Sequence, residues 1–101
     1  MPNMNELLRQ AQVMQNKLAK LQQEMAEKTY EAASGGGMVK ATVSGKQELK
    51  KLEIDPQAIN DIEMLEDLIV AAVNEAIRVS RENMEREMNA LTGGIKLPGV
   101  F

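Results

Sequence analysis

The chain has 101 residues and a formal net charge of −3, with no Cys, no His, no Trp, one Phe and one Tyr. Lacking Cys and His, it has no disulfide, no thiolate or imidazole metal ligand and no common general base. A single domain of this size (1–101), built on aliphatic residues with eight Met as gap fillers, reaches only marginal stability unless an interface adds to it.

The first expected element is a helix from about Asn3 to Glu27, with Pro2 at its start, where the N–H groups have no intrahelical partner. Its apolar positions are Met4, Leu7, Ala11, Met14, Leu18, Leu21 and Met25. They advance by alternating steps of three and four, a mean spacing of 3.5 residues, which is the seam of a coiled coil. A seam that narrow buries itself against another helix, so the expectation is an assembly, most simply a homodimer. The N-terminal stretch is polar and amphipathic, with neither a signal-peptide run nor a spanning segment, so a soluble cytoplasmic protein without membrane association is expected.

After Lys28 the pattern turns to strands: Thr29–Ala33, then Gly35-Gly36-Gly37, then Met38–Val43. Val39, Ala41 and Val43 share one face of the second strand, while Lys40 and Thr42 share the other. Ser44-Gly45 makes a tight turn, and Gln47–Ile54 is a third strand with Leu52 and Ile54 directed inward. The expected fold class is α+β, a helix followed by a three-stranded antiparallel meander with one wet face and then a long helix. The glycine triplet is not a phosphate loop, because a strand rather than a helix follows it. It fits a hairpin or hinge that needs positive φ.

Asp55-Pro56 stops the sheet and opens a helical turn, and Asn60 with Glu63 fits a capping box. The last helix is expected from about Asp61 to Leu91, roughly 45 Å long. Its apolar side carries Leu65, Leu68, Ile69, Ala72, Val73, Ala76, Ile77, Met84, Met88 and Leu91. The band is wide up to Ile77, as for a helix lying on a sheet, and narrows afterwards, with Glu82/Arg86 and Arg81/Glu85 as outer i,i+4 pairs. Gly93-Gly94 ends the helix and Ile95–Phe101 forms an apolar tail. A three-stranded sheet is only about 17–20 Å along its strands, so both helices must project beyond it as arms. Met84, Met88 and Leu91 therefore join the first helix's seam as expected dimer-interface positions.

No nucleophile, base and oxyanion donor come together in this pattern, so neither catalysis, a cofactor nor a small-molecule substrate is expected. Asp61, Glu63, Glu66 and Asp67 favour the positive end of the last helix's dipole and lack the spacing of a calcium loop. The charges are divided unevenly. Residues 1–52 hold eight Lys/Arg against five Glu, and residues 53–101 hold four basic against ten acidic residues. Arg9, Lys17 and Lys20 lie outside the first seam, and Arg78, Arg81 and Arg86 lie on the projecting part of the last helix. Two-fold symmetry would double each of them. Phosphate contacts need only such donors, and the near-absence of aromatic residues disfavours base stacking, so duplex DNA is the expected nucleic-acid partner. The other reading is an adaptor whose arms clamp a replication or recombination protein.

The motifs Gly35-Gly36-Gly37-Met38-Val39, Gly45-Lys46-Gln47-Glu48, Ile54-Asp55-Pro56, Leu65-Glu66-Asp67-Leu68, Ala71-Ala72-Val73-Asn74-Glu75-Ala76 and Thr92-Gly93-Gly94…Leu97-Pro98-Gly99-Val100-Phe101 occur in this order. Together they resemble the YbaB/EbfC family of bacterial nucleoid-associated proteins over nearly the whole chain. The resemblance implies a tweezer-shaped α-β-β-β-α homodimer located in the nucleoid. It also implies that the helical arms bind DNA and bend or compact it, with effects on nucleoid organisation and gene expression.

Overall fold

The structure, a computed structural model, describes residues 3–92, with side chains described for residues 3–90. Its elements are α1 (Met4–Glu27), β1 (Thr29–Ser34), β2 (Val39–Ser44), β3 (Leu49–Ile54) and α2 (Ile62–Thr92). Short 3-10 turns at Gly35–Gly37 and Pro56–Asn60 join β1 to β2 and β3 to α2. The strands form one antiparallel sheet in the order β1-β2-β3, as the alternation of residues 29–54 predicts. The expected glycine tail and Ile95–Phe101 lie outside the described residues.

Local chemistry sets most of the boundaries. The Asn3 side chain accepts a hydrogen bond from the Glu6 N–H at 2.8 Å and so caps α1. Gly35, Gly36 and Gly37 all take positive φ, 58°, 66° and 96°, which is the hinge conformation that their side-chain-free backbones allow. The cap of α2 falls one residue later than expected. It is Asp61, not Asn60, whose carboxylate accepts the Met64 N–H at 3.1 Å. Asp55 caps the preceding 3-10 turn through the Gln57 N–H at 2.9 Å.

The core lies between the sheet and the first half of α2. Val39, Ala41 and Val43 from β2 meet Ala72 and Ala76 from α2, all at 0% exposure. Two alanines one turn apart let the helix sit low on β1 and β2, which it covers closely, and it leaves β3 as a bare edge. Tyr30, Ala32, Leu52, Leu65, Leu68, Ile69, Val73 and Ile77 ring this core and are half-buried. At the other end of the sheet, the Ser34 hydroxyl donates to the Leu68 carbonyl at 2.6 Å.

Two features of β3 differ from expectation. The strand begins at Leu49 rather than Gln47, because the β2–β3 connection consumes more chain than a two-residue turn. The Gln47 N–H donates to the Ser44 carbonyl and the Ser44 N–H to the Glu48 carbonyl, both at 2.9 Å, and Gln47 itself takes φ 67°. This is a three-residue loop closed by a left-handed residue. Ile54 shares the inner face with Leu52 but remains 37% exposed, because it pairs with Val39 at the edge where α2 gives no cover.

The arms are evident in the dimensions. The longest extent is 69 Å and the radius of gyration 19.1 Å, against roughly 13 Å for a compact chain of this size. Every residue of α1 up to Lys17 is exposed, and the helix meets the rest of the protein through Leu18, Leu21, Met25 and Ala26. No described helix is long and apolar enough to cross a membrane.

Candidate nucleic-acid interface

Arg9, Lys17 and Lys20 are all exposed on α1. At 3.6 residues per turn they fall within an arc of about 80°, with Arg9 and Lys20 roughly opposite the apolar seam and Lys17 on its flank. Arg9 and Lys17 flank a shallow recess floored by Gln10, Val13 and Met14. Among the described residues no ion pair engages any of the three, so their full charge is available to an anion. Glu6 is the one acidic residue from Met4 to Lys20, and Glu24 and Glu27 follow only in the last turns of α1, so the basic excess belongs to the part of the arm up to Lys20.

The arginines of α2 are in a different setting. Arg78, Arg81 and Arg86 are exposed but share their helix with Glu75, Glu82, Glu85 and Glu87. Arg78 is held from both sides by its own helix. Its Nε donates to Glu75 Oε2 at 2.9 Å and one terminal nitrogen donates to Glu82 Oε1 at 2.6 Å. The other terminal nitrogen donates to Glu75 Oε1. Hydrogen bonding to Arg78 holds the Glu75 carboxyl below the usual carboxylate range, and the same bonds push the Arg78 guanidinium further up. Of the α2 ion pairs that form among the described residues, neither is an expected one. Arg78 pairs with Glu75 and Glu82, whereas the sequence spacing suggested Glu82/Arg86 and Arg81/Glu85.

The sheet offers less free charge. Lys50 bridges to Glu48 at 3.0 Å and Lys51 to Glu53 at 2.9 Å. Each pairing lowers the carboxylate, first through the hydrogen bond from the lysine and then through its charge. No cluster of three or more His, Cys, Asp or Glu that could hold a metal ion occurs among the described residues.

The expected dimer positions divide into three groups. Met4 at 68%, Leu7 at 47% and Met14 at 41% are exposed along the arm, as is Ala11. Leu18, Leu21 and Met84 are half-buried. Met25 and Met88, at 1% and 3% exposure, are buried inside the protomer. The Leu91 side chain lies outside the described residues. A further apolar strip was missed, formed by Leu49 and Ile54, at 49% and 37% exposure, beside half-buried Leu52 on the bare edge strand. The irregular register at Thr42/Val43 brings Leu49 to the inner face, and simple alternation cannot show that.

The fold is an α+β arrangement of a small sheet carrying two helical arms, the first of them exposed up to Lys17. The sequence profile of the YbaB/EbfC DNA-binding family matches residues 1–95. The chain belongs to that family. It is 54% identical to a nucleoid-associated protein of Moorella thermoacetica over 98% of this chain and 97% of that one. A nucleoid-associated protein of Thermoanaerobacter pseudethanolicus is 48% identical, over 98% of this chain and 91% of its own. The fold matches the crystal structure of an uncharacterized protein from Helicobacter pylori with a TM-score of 0.78, at 23% identity, covering 91% of this chain and 99% of that one.

Proposed function

We infer that this protein is a non-enzymatic nucleoid protein that binds duplex DNA as a homodimer. The unpaired basic stripe of exposed Arg9, Lys17 and Lys20 on α1 carries this reading. Arg81 and Arg86 add to it from α2, and Arg78 joins only when Glu75 and Glu82 release it. Contacts of this kind fix the protein on phosphates without reading bases, so binding is largely independent of sequence. The dimer is supported by the exposed part of the α1 seam, Met4 to Met14, and by the apolar strip on β3, both of which a second copy would cover. Two copies of the arms on one duplex would bend or compact it and act on nucleoid organisation and gene expression. The setting is the cytoplasm, at the nucleoid.

The test is a titration of the protein with a labelled duplex between 50 and 200 mM salt. The three α1 residues from each of two protomers contribute about −5 to the log–log slope, roughly a thousandfold loss of affinity over that range, to which Arg81 and Arg86 add. Binding that is absent, or insensitive to salt, would contradict the proposal. Salt-insensitive capture of a replication or recombination protein would replace it with the adaptor reading.

A further inference from the structure

We propose that the β2–β3 turn, Ser44–Gln47, is the common root of both arms, and that Gly45 and Gln47 are positioning residues that set the angle between α1 and α2. Its bearing on DNA rests on the function proposed above, whereas its geometry does not.

On one side the turn is seated against the end of α1. The Gly45 N–H donates to the Lys28 carbonyl at 3.0 Å, and the Lys28 N–H donates to the Met25 carbonyl at 3.3 Å. The contact is so close that a Cβ at residue 45 would stand 1.8 Å from the Met25 carbonyl oxygen and 3.0 Å from the Ala26 Cα. Those neighbours are backbone, so they cannot swing aside as a side chain could. Met25 itself is buried, and the chain passes from α1 into β1 through Lys28 with no spare residue.

On its other side the turn is latched to α2 where that helix leaves the sheet. Gln47 Nε2 donates to the Ser80 hydroxyl at 2.8 Å and approaches the Met84 sulfur at 3.9 Å. The Ser80 hydroxyl in turn donates to the Ser44 carbonyl at 3.3 Å. Ser44 and Ser80, at 2% and 0% exposure, are the buried polar residues of the described chain. Gln47 holds this position on unfavourable terms. Its φ of 67° is one that glycine usually supplies in such a loop, and its Oε1 is buried without a hydrogen-bond partner. A glycine would relieve both, and would also free α2 from the turn.

One four-residue turn therefore touches the last turn of α1 through backbone and the departure point of α2 through a side chain. A shift of about 1.5 Å at the base of α1 is levered along an arm about 36 Å long and moves its tip by several ångströms. Arms that must meet phosphates simultaneously lose avidity when their spacing is wrong.

The experiment uses double electron–electron resonance. The chain has no Cys, so Gln12→Cys and Asn89→Cys, both exposed, place one label on each arm, and excess unlabelled protein suppresses distances between protomers. Gly45→Ala should shift the mean distance by several ångströms. Gln47→Gly, which suits the backbone and should keep the fold, should broaden the distribution with little change in far-ultraviolet circular dichroism. Both should raise the Kd for duplex DNA about tenfold or more. Unchanged distances in both variants would overturn the root, and if Gly45→Ala fails to fold, an unbroadened Gln47→Gly does so alone. Altered distances with unaltered DNA affinity would sustain the root and overturn the arms as the DNA-holding surface.

Discussion

Neutralising Glu75 and Glu82 should turn Arg78 from an internally paired residue into a phosphate contact. In the native protein the Arg78 guanidinium is engaged on three of its nitrogens by those two carboxylates, so a phosphate must displace them. The double substitution Glu75→Gln and Glu82→Gln leaves amides that bind the cation less strongly. One additional phosphate contact steepens the salt slope by about 0.9, or about 1.8 for the two protomers. Fluorescence anisotropy of a labelled duplex at several salt concentrations measures the change. Glu85→Gln is the control: it removes one negative charge from the same helix and frees no arginine, so it reports reduced repulsion alone. The pairs are exposed and contribute little to stability, so circular dichroism should show the helix intact. The reasoning fails if the double variant keeps the native slope, or if Arg78→Gln flattens the native slope as much as Arg9→Gln does.

Three further outcomes test other parts of the structure. Val43 is fully buried against α2, so Val43→Ala should cost about 2 kcal/mol and lower Tm by roughly 8–16 °C in thermal denaturation. Tyr30 is the single tyrosine, and burial, followed by the nearby Glu87 charge, raises its phenol above the usual 10. Ultraviolet titration should therefore show ionisation above pH 10, moving down in Glu87→Gln. The sign follows from linkage: the folded state holds the phenolic proton more tightly, so this stability is complete below pH 10 and is lost as pH rises through the folded value. Replacing both Leu18 and Leu21 with Lys should give a protein that sediments as a monomer or unfolds, since a dimer would bury unpaired charge.

The order of elements was legible because each rests on a local rule: the α1 seam on its heptad spacing, β2 on alternation, the Gly35–Gly37 hinge on glycine's freedom at positive φ. What stayed hidden depends on contacts between distant segments. A seam does not reveal whether its partner helix belongs to the same chain, and here Met25, in the last turns of α1, is covered within the protomer. Ile54 lies on the inner face as alternation indicates, but alternation assigns a face and not whether a helix covers it. Gln47 gave no signal, since its side chain bonds to Ser80, thirty-three positions away. For the basic residues, exposure was legible but availability was not. The spacing of Arg78 permits pairing with both Glu75 and Glu82, and only the structure distinguishes it from Arg9, Lys17 and Lys20.

The central claim is that DNA lies on the arms and not on the sheet. The most direct measurement compares two triple variants on one duplex across a salt series, Arg9→Gln/Lys17→Gln/Lys20→Gln against Lys46→Gln/Lys50→Gln/Lys51→Gln. Both remove three positive charges per protomer, so net charge is matched. The arm variant should flatten the slope by about 5 and abolish most binding at 100 mM salt, while the sheet variant, two of whose lysines are already paired with glutamates, should stay near the native slope. A native slope in the arm variant together with a flattened slope in the sheet variant would contradict the account.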